Sequence, residues 1–257
     1  MISLQHINKV FHPGTVNETR VFSDFNLSID TGSFVSVVGS NGSGKTTMLN
    51  ILGGTLPPDS GHVLLDEEDV VNKKEYLRFK TIGRVYQDPN KGVASSLTIA
   101  ENMSLADNKG RPYGLTRCVT KKNLERYREI VSSVGLGLED KMHVPMGVLS
   151  GGQRQAVSLL MATMTPIDIL ILDEHTAALD PKTADIIMEM TDHIIREKHL
   201  TAIMVTHNLR YAVEYGDRMI MMHEGKIVLD VRGEEKKRTT VDNVLSLFNE
   251  ISVECGN

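Results

Sequence analysis

A glycine-rich loop between two apolar segments limits the possible folds of this chain more than any other stretch. An apolar run at 34–38 precedes the loop, and another at 48–52 follows it. The loop itself is Gly39-Ser40-Asn41-Gly42-Ser43-Gly44-Lys45-Thr46-Thr47. It fits the Walker A pattern G-x-x-x-x-G-K-T, which needs a strand before it and a helix after it. The flanking apolar runs predict that context, so we expect the loop to join a buried strand to a helix.

The residue types of this loop suit a nucleotide, and we expect all nine residues to bind it. Glycines let the backbone bend so that successive N–H groups point at phosphate oxygens, and the helix that begins near Gly44 adds its positive dipole end. Lys45 is expected to reach the β- and γ-phosphates, Thr46 to place its hydroxyl on Mg2+, and Thr47 to reach the α-phosphate. The alternative, a flexible Gly/Ser linker, is disfavoured by the apolar segments on both sides.

Composition narrows the class of protein. The chain has 257 residues, 40% of them hydrophobic and 24% charged, which is ordinary for a globular protein of one large or two small domains. The net charge of -5 provides no basic field, so no nucleic-acid partner is expected. Apolar runs such as 169–172 are far shorter than the roughly 20 residues of a membrane helix. Residues 1–6 lack a signal-peptide layout, and the two cysteines, Cys118 and Cys255, suit a reducing compartment. We therefore expect the chain in the cytosol unless a partner holds it at a membrane.

The order of the apolar segments predicts an α/β fold. Alternating residues at 1–33 predict strands and turns, and continuous apolar runs predict buried strands at 81–86, 169–172 and 202–205. A helix is expected from Asp180-Pro181 to about Lys198, with the aspartate as N-cap and the proline in the first turn. Strands that alternate with helices and short loops indicate a mostly parallel sheet.

A helical insert is predicted between two parts of this α/β core. From about 97 to 148 the apolar residues recur at helical spacing. The clearest set is Leu124, Tyr127, Ile130, Val131 and Val134. A loop is expected at Arg111–Gly114. Near the C-terminus, the charged run Glu234–Arg238 is interpreted as a solvated linker before a final short helix.

Polar residues follow the predicted buried strands, where open α/β sheets usually bind ligands. Asp173 is expected to hold Mg2+, largely through water, and Glu174 to polarise the attacking water as general base. His207 is expected to hydrogen-bond the γ-phosphate and the water-activating group. Gln87 is expected to reach the metal or the attacking water, with sensing favoured over catalysis. The plainer alternatives are a solvated turn for the two acids and a structural role for the histidine.

The stretch Leu149–Gln155 predicts a second anion site. Ser150 is a good N-cap, and Gly151 and Gly152 expose backbone N–H groups at the start of a helix. Because the chain already has one phosphate loop, we expect Ser150, Gly151, Gly152 and Gln153 to complete the γ-phosphate pocket of a second copy. That arrangement is a head-to-tail dimer with two nucleotides between the chains. The alternative is an ordinary capped helix.

Together these residues resemble the nucleotide-binding subunit of an ATP-binding cassette (ABC) transporter of the bacterial importer type. The resemblance covers about Met1 to Asp230, and the matching elements occur in the family's order. They are Walker A at Gly39–Thr47, the Q-loop at Gln87, the signature LSGGQRQ at Leu149–Gln155, Walker B at Ile169–Asp173 with Glu174, the D-loop at Ala178–Asp180 and the switch His207. Walker A alone leaves kinases and GTPases open, whereas the signature is very specific.

The resemblance implies a fold and an activity. The fold is α/β, with a P-loop NTPase (RecA-like) core containing a parallel sheet, an N-terminal antiparallel β subdomain and an inserted α-helical subdomain. A single ATPase domain is implied at 1–230, with the helical insert at about 88–158 and a C-terminal tail at 231–257. The activity is hydrolysis of ATP with Mg2+, coupled to transport through ATP-driven dimerisation.

The resemblance also implies partners. These are a second nucleotide-binding subunit, integral membrane permease subunits that dock at about 88–102, and an extracytoplasmic solute-binding protein. The implied location is the cytoplasmic face of the cell membrane, as a peripheral subunit. The wording of residues 173–184 looks like a bacterial uptake subfamily, some of whose members are assigned to aromatic amino acids.

Two positions differ from the family's usual pattern. Proline often follows the catalytic glutamate, and here the residue is His175; we expect hydrolysis to persist. The aromatic residue that stacks on adenine maps best to Phe11, which can stack but cannot donate a hydrogen bond.

Other function classes remain open from the sequence. A soluble cassette that acts on nucleic acid or the ribosome is one, but such relatives usually carry a long coiled-coil insertion or two cassettes. A P-loop kinase is another, although it leaves the stretch Leu149–Gln155 without a role. Export is the third, because separate subunits favour import without proving it.

Overall fold

The computed structural model describes residues 1–111, 114 and 117–254, with side chains up to residue 250. The chain forms two compact units, Met1–Phe79 together with His199–Asn257, and Lys80–Lys198. The loop expected at 111–114 falls partly outside the described residues, as does Cys255. The part of the chain that the structure describes contains no helix that could serve as a membrane span.

The elements alternate along most of the chain. In chain order the strands are β1 (Ile2–Phe11), β2 (Thr19–Ile29), β3 (Phe34–Gly39), β4 (Ser60–Leu65), β5 (Glu68–Asp69), β6 (Ile82–Val85), β7 (Ile169–Asp173), β8 (Thr201–Val205), β9 (Arg218–His223) and β10 (Lys226–Arg232). The α-helices are α1 (Lys45–Gly53), α2 (Glu75–Arg78), α3 (Ile99–Asp107), α4 (Lys121–Ser132), α5 (Gly151–Thr163), α6 (Pro181–Glu197), α7 (Leu209–Glu214), α8 (Gly233–Arg238) and α9 (Val241–Glu254). Short 3-10 helices lie at Glu139–Lys141 and Met146–Val148.

The first unit contains an antiparallel sheet in the order β2-β1-β4-β5. Ile2 and Leu4 of β1 are buried, as predicted, and Ser3 between them is buried as well; Ile2 lies opposite Ile29 of β2 and Leu65 of β4. The elements β5 and α2 lie in the polar stretch 66–80, where the sequence predicted no element, because they are too short to show a period.

The first unit also contains parallel strands. β3 pairs in parallel with β8 on one side and β9 on the other, and β10 pairs with β9 antiparallel. Every residue of β3 and β8 is buried. Strands covered on both faces have continuous apolar runs, which is the pattern that the sequence showed. The carboxyl ends of β3, β8 and β9 consequently lie at one edge of the sheet.

The second unit combines a parallel strand pair with helices. β6 and β7 are in parallel register, with Ile82 opposite Ile169 and Val85 opposite Leu172. Local side chains start the helices: Thr98 and Glu101 form a capping box at α3, and Asp180 caps α6 with Pro181 at its first position. The predicted α/β class, with an N-terminal antiparallel sheet, parallel strands and inserted helices, is confirmed.

The interpretation of Glu234–Arg238 as a solvated linker is wrong. These residues form α8, and Lys236 is buried with 4% of its surface exposed. Its Nζ donates hydrogen bonds to the carbonyl oxygens of Val213 at 2.9 Å and Tyr215 at 2.8 Å. The last carbonyls of a helix need donors, and here a charged side chain supplies them to the end of α7.

We predict that Lys236→Ala destabilises the chain. Two carbonyl groups of partly buried residues lose a charged donor, so we expect a loss of about 2 kcal/mol in the free energy of unfolding and a lower thermal midpoint by circular dichroism. Lys237→Ala is the matched control, because the Lys237 side chain is 73% exposed and pairs with Glu234 only at the surface. Equal midpoints for the two variants would contradict a structural role for Lys236.

Candidate functional site

The glycine loop has the backbone that a phosphate site needs. It leaves the carboxyl end of β3, and Gly39, Gly42 and Gly44 have positive φ angles of 155°, 78° and 100°. A Cβ atom on Gly39 would lie 2.2 Å from the carbonyl oxygen of Met222, so the parallel neighbour β9 leaves no room for a side chain. The conformation of the loop therefore depends on glycine at these positions.

The loop leads directly into the N-terminus of α1. The N-cap is Gly44, which supplies no side-chain hydrogen bond, so the first-turn N–H groups are not capped by that residue. Lys45 is buried, and its Nζ donates to the carbonyl oxygens of Gly39 and Ser40, both at 2.8 Å. The ammonium group thus lies inside the loop, and its contact with phosphates stays a prediction.

His207 lies at the same edge of the sheet as this loop. β8 pairs with β3, and the N–H of Thr206 donates to the carbonyl oxygen of Val37 at 3.1 Å, so the residue after Thr206 emerges beside the end of β3. His207 is exposed. The predicted loop and the predicted switch histidine are brought to one edge by parallel pairing.

A second histidine at this edge was missed from the sequence. His223 is the last residue of β9, and its Nδ1 lies 3.3 Å from Oγ of Ser40 in the glycine loop. The signal was available, since His223 ends a continuous apolar run in the same way as His207. Without the strand order, however, the sequence did not show that β9 is a neighbour of β3.

Phe11 lies at the end of β1, opposite Thr19. The ring is partly exposed, and Nζ of Lys9 is 5.7 Å from its centroid. A partly exposed aromatic face is what stacking on a base requires. The adenine-binding role of Phe11 stays a prediction.

The second unit groups the predicted polar residues at the ends of β6 and β7. Gln87 follows β6 and is exposed, whereas Asp173 and Glu174, at the end of β7, are partly exposed. The register of Val85 opposite Leu172 brings the three residues to the same end of the strand pair. Glu174 has a φ of +48°, a backbone region that residues with side chains rarely occupy.

His175 is buried, with 2% of its surface exposed, and it ties the loop after β7 to α6. Its Nε2 lies 3.1 Å from Oγ1 of Thr191, and that hydroxyl donates to the carbonyl oxygen of Ile187 at 2.6 Å. Because the threonine proton is used there, the histidine must be the donor, and its Nε2 carries a hydrogen. Burial lowers the pKa of His175 from 6.5 to about 4, so the ring is neutral at physiological pH.

The signature stretch forms the start of α5. Oγ of Ser150 accepts from the N–H of Gln153 at 3.2 Å, so the expected N-cap is present. A Cβ on Gly152 would lie 2.1 Å from Cγ2 of Thr183 in α6, which leaves no room for a side chain there. Farther along α5, Nε2 of Gln155 donates to the carbonyl oxygen of Tyr86 at 3.2 Å, next to Gln87. The signature helix is thus attached to the segment that carries the predicted Q-loop.

The donor types fit a hard cation. The residues predicted to hold Mg2+ offer a hydroxyl from Thr46, a carboxylate from Asp173 and an amide oxygen from Gln87, and oxygen is the ligand that Mg2+ prefers. Within the described ranges, no group of three or more histidine, cysteine or acidic residues is placed to hold a metal.

We predict that His175 makes stability depend on pH. The pKa of about 4 in the folded chain is below the ordinary 6.5, so the unfolded chain binds more protons between these values. The contribution of the neutral His175 ring to the free energy of unfolding is complete above about pH 6.5 and is lost as the pH falls toward 4. The variant His175→Gln keeps a donor for Thr191 but has no group that titrates in this range. When the pH falls from about 7 to 4.5, its free energy of unfolding should decrease less than that of wild type, and the difference between the two decreases should be on the order of 2 kcal/mol. Thermal midpoints of the two proteins without metal or nucleotide test this, and identical pH dependence would refute it.

Comparison with known proteins identifies the family of this chain. The family described as ABC transporter matches residues 22–177. The tyrosine transport ATP-binding protein of Clostridioides difficile (strain R20291) is 43% identical over 250 residues, which are 96% of this chain and 98% of that protein. The putative hemin import ATP-binding protein HrtA of Staphylococcus haemolyticus (strain JCSC1435) is 35% identical over 231 residues, 89% of this chain and 99% of that protein.

A solved structure supports the same family. It is the dimeric structure of a post-hydrolysis state of an ATP-binding cassette bound to ADP and Pi, and it is 30% identical with a TM-score of 0.77. The similarity covers 90% of this chain and 98% of that chain, which confirms the predicted P-loop NTPase core. The chain belongs to the ABC transporter family, as an ATP-binding subunit that hydrolyses ATP.

Proposed function

We propose that this chain powers the uptake of a small solute, with aromatic amino acids as the first candidates, through membrane permease subunits. The observation that carries the proposal is the 43% identity, over nearly the full length of both chains, to a protein named for tyrosine transport. A relative named for hemin import is less similar, at 35%. The direction is inferred from the second name and the solute from the first.

In the proposed reaction, water attacks the γ-phosphorus of ATP, the bond from that phosphorus to the bridging oxygen breaks, and ADP and phosphate form. Glu174 accepts the proton that the water loses. Its left-handed backbone supports this role, because strained residues concentrate at active sites. His207 donates a hydrogen bond to the γ-phosphate, and its position beside the end of β3 supports this.

The remaining site residues bind and orient. The loop 39–47 holds the phosphates with its N–H groups and Lys45, and Phe11 stacks on adenine. Thr46, Asp173 and Gln87 would hold Mg2+, which when bound supplies positive charge to the β- and γ-phosphate oxygens.

The signature start of α5 serves a second copy of the chain. Ser150 and Gly151 are exposed at the N-terminus of a 13-residue helix, where backbone N–H groups and the helix dipole attract an anion. We infer that they contact the γ-phosphate held by the partner's glycine loop, in a two-fold dimer with two nucleotides. The solved relative with a dimeric structure supports this arrangement.

The proposed ATPase domain comprises residues 1–230, with the helical insert at about 88–158 and the C-terminal tail at 231–257. Within the insert, the segment 88–102 is proposed to dock on a permease. Its fold depends on the buried amide of Asn102, whose Nδ2 donates to the carbonyl oxygens of Ala94, Leu97 and Thr98 at 3.0–3.1 Å. The subunit would then lie on the cytoplasmic face of the membrane.

We predict that Glu174→Gln binds ATP, does not turn it over and accumulates as a dimer. Glutamine cannot accept the proton of water, so the nucleotide-bound state persists. Size-exclusion chromatography with ATP and a phosphate-release assay measure the two effects. The double variant Glu174→Gln with Ser150→Arg is the control, because the arginine should block the shared site and leave the protein monomeric. Hydrolysis by Glu174→Gln at near wild-type rate would refute the role of the glutamate.

The transporter proposal predicts a membrane partner. Affinity purification of the chain from detergent-solubilised membranes of its source cells should recover a protein with several membrane spans. In proteoliposomes the recovered complex should hydrolyse ATP faster when tyrosine or a related amino acid is supplied with a co-purified solute-binding protein, and should not respond to hemin. Recovery of soluble or ribosomal partners alone would overturn the proposal while leaving the ATPase assignment in place.

A further inference from the structure

Arg84 forms an ion pair with the proposed metal-binding aspartate. In the parallel pair of β6 and β7, Arg84 lies opposite Ile171, and Asp173 follows two residues later on the same face. Nη2 of Arg84 lies 3.0 Å from Oδ2 of Asp173. Only 6% of the arginine side chain and 13% of the aspartate side chain are exposed. The pair is therefore shielded from water. In such a buried position two charges interact more strongly than they do at a surface.

The guanidinium group is also held in place from its own strand. Tyr86 is two residues beyond Arg84, on the same face, and the guanidinium carbon lies 4.8 Å from the centroid of the tyrosine ring. The carbonyl of Tyr86 in turn accepts the hydrogen bond from Gln155. Arg84 is thus fixed between a carboxylate and an aromatic face, with little freedom to leave.

This arrangement has a consequence for a divalent cation. One oxygen of Asp173 already accepts a hydrogen bond from a positive charge, and that charge repels a second cation at the same carboxylate. Arginine stays charged at all physiological pH values, so the compensation is permanent. If the arginine were absent, the aspartate would be a mostly buried carboxylate without this partner, and a cation would become its best replacement.

We propose that Arg84 is a positioning residue that holds the Asp173 carboxylate as its counter-ion and weakens the uptake of Mg2+ there. The inference rests on the proposed role of Asp173 in metal binding. It assigns to Arg84 a function in setting the metal concentration at which the subunit works. It also implies that Arg84 keeps this part of the site folded in the absence of metal.

The test uses the full chain with Arg84→Met, which keeps an unbranched side chain against Tyr86 and removes the charge. Its thermal midpoint in EDTA should fall below that of wild type. Addition of millimolar Mg2+ should raise the midpoint of the variant by more degrees than it raises the midpoint of wild type. With a non-hydrolysable ATP analogue, Mn2+ binding followed by electron paramagnetic resonance should be about tenfold tighter than in wild type. Arg84→Lys, which keeps the charge, should bind Mn2+ as wild type does.

A matched control lies in the same unit. Arg126 pairs with Asp107, whose side chain is 10% exposed, so Arg126→Met also removes the arginine from a mostly buried carboxylate, but away from the proposed metal site. This variant should lose stability without a gain in its response to Mg2+. An equal response in both variants would show that a mostly buried carboxylate recruits the ion wherever it loses its arginine, which would overturn the inference. If Arg84→Met does not fold, Arg84→Gln replaces it, because glutamine keeps a neutral donor for Asp173.

Asp173→Asn separates the failure of this inference from that of the proposed site. Loss of Mn2+ binding in Asp173→Asn, with unchanged affinity in Arg84→Met, would overturn the role of Arg84 and leave the aspartate as a metal ligand. Unchanged Mn2+ binding in Asp173→Asn would overturn the proposed ligand itself, and the inference with it.

Discussion

The close parallel packing of β3 against β9 is the constraint on which the proposed phosphate loop depends. At Gly39 the two backbones approach so closely that a Cβ atom would lie 2.2 Å from the carbonyl oxygen of Met222. The strand can therefore turn into the phosphate loop only through glycine. The same pairing brings His223 to the loop and, with β8 on the other side, His207 to the same edge. Buried parallel strands thus fix where the loop, the lysine and the histidines emerge.

In the second unit, the corresponding constraint is electrostatic. Asp173 ends β7 and Glu174 follows it, both partly exposed, and each acid is held by a different interaction. The carboxylate of Asp173 is paired with Arg84, whereas the strained backbone of Glu174 is followed by the neutral, buried His175, whose hydrogen bond to Thr191 ties the loop to α6. The usual proline of the family restricts this turn covalently, and here a buried hydrogen bond anchors it. The backbone of Glu174, the proposed general base, is therefore held by the buried His175 next to it.

Hydrogen bonds from buried amides connect the proposed site to the proposed docking segment. Gln155 links the signature helix to the backbone beside Gln87. Asn102 holds the loop that follows Gln87 along the chain. Asn102 satisfies several backbone groups of its loop and Gln155 satisfies one, so these segments are ordered without regular secondary structure. In the proposed cycle, closure of the dimer on ATP moves α5, and its attachment at Tyr86 carries that motion toward the surface that faces the permease.

The sequence by itself determined the features that depend on neighbours along the chain. These are the Walker A and signature motifs, the buried strands, the capped starts of α5 and α6, and the family, because period, cap and motif are local in sequence. The tertiary structure decided the features that depend on strand order and register. The contact of His223 with Ser40, the pairing of Arg84 with Asp173 and the burial of Lys236 each join residues that no local pattern relates. The short elements β5 and α2 were missed for a related reason, since a few residues are too short to show a period, and only their packing fixes their conformation.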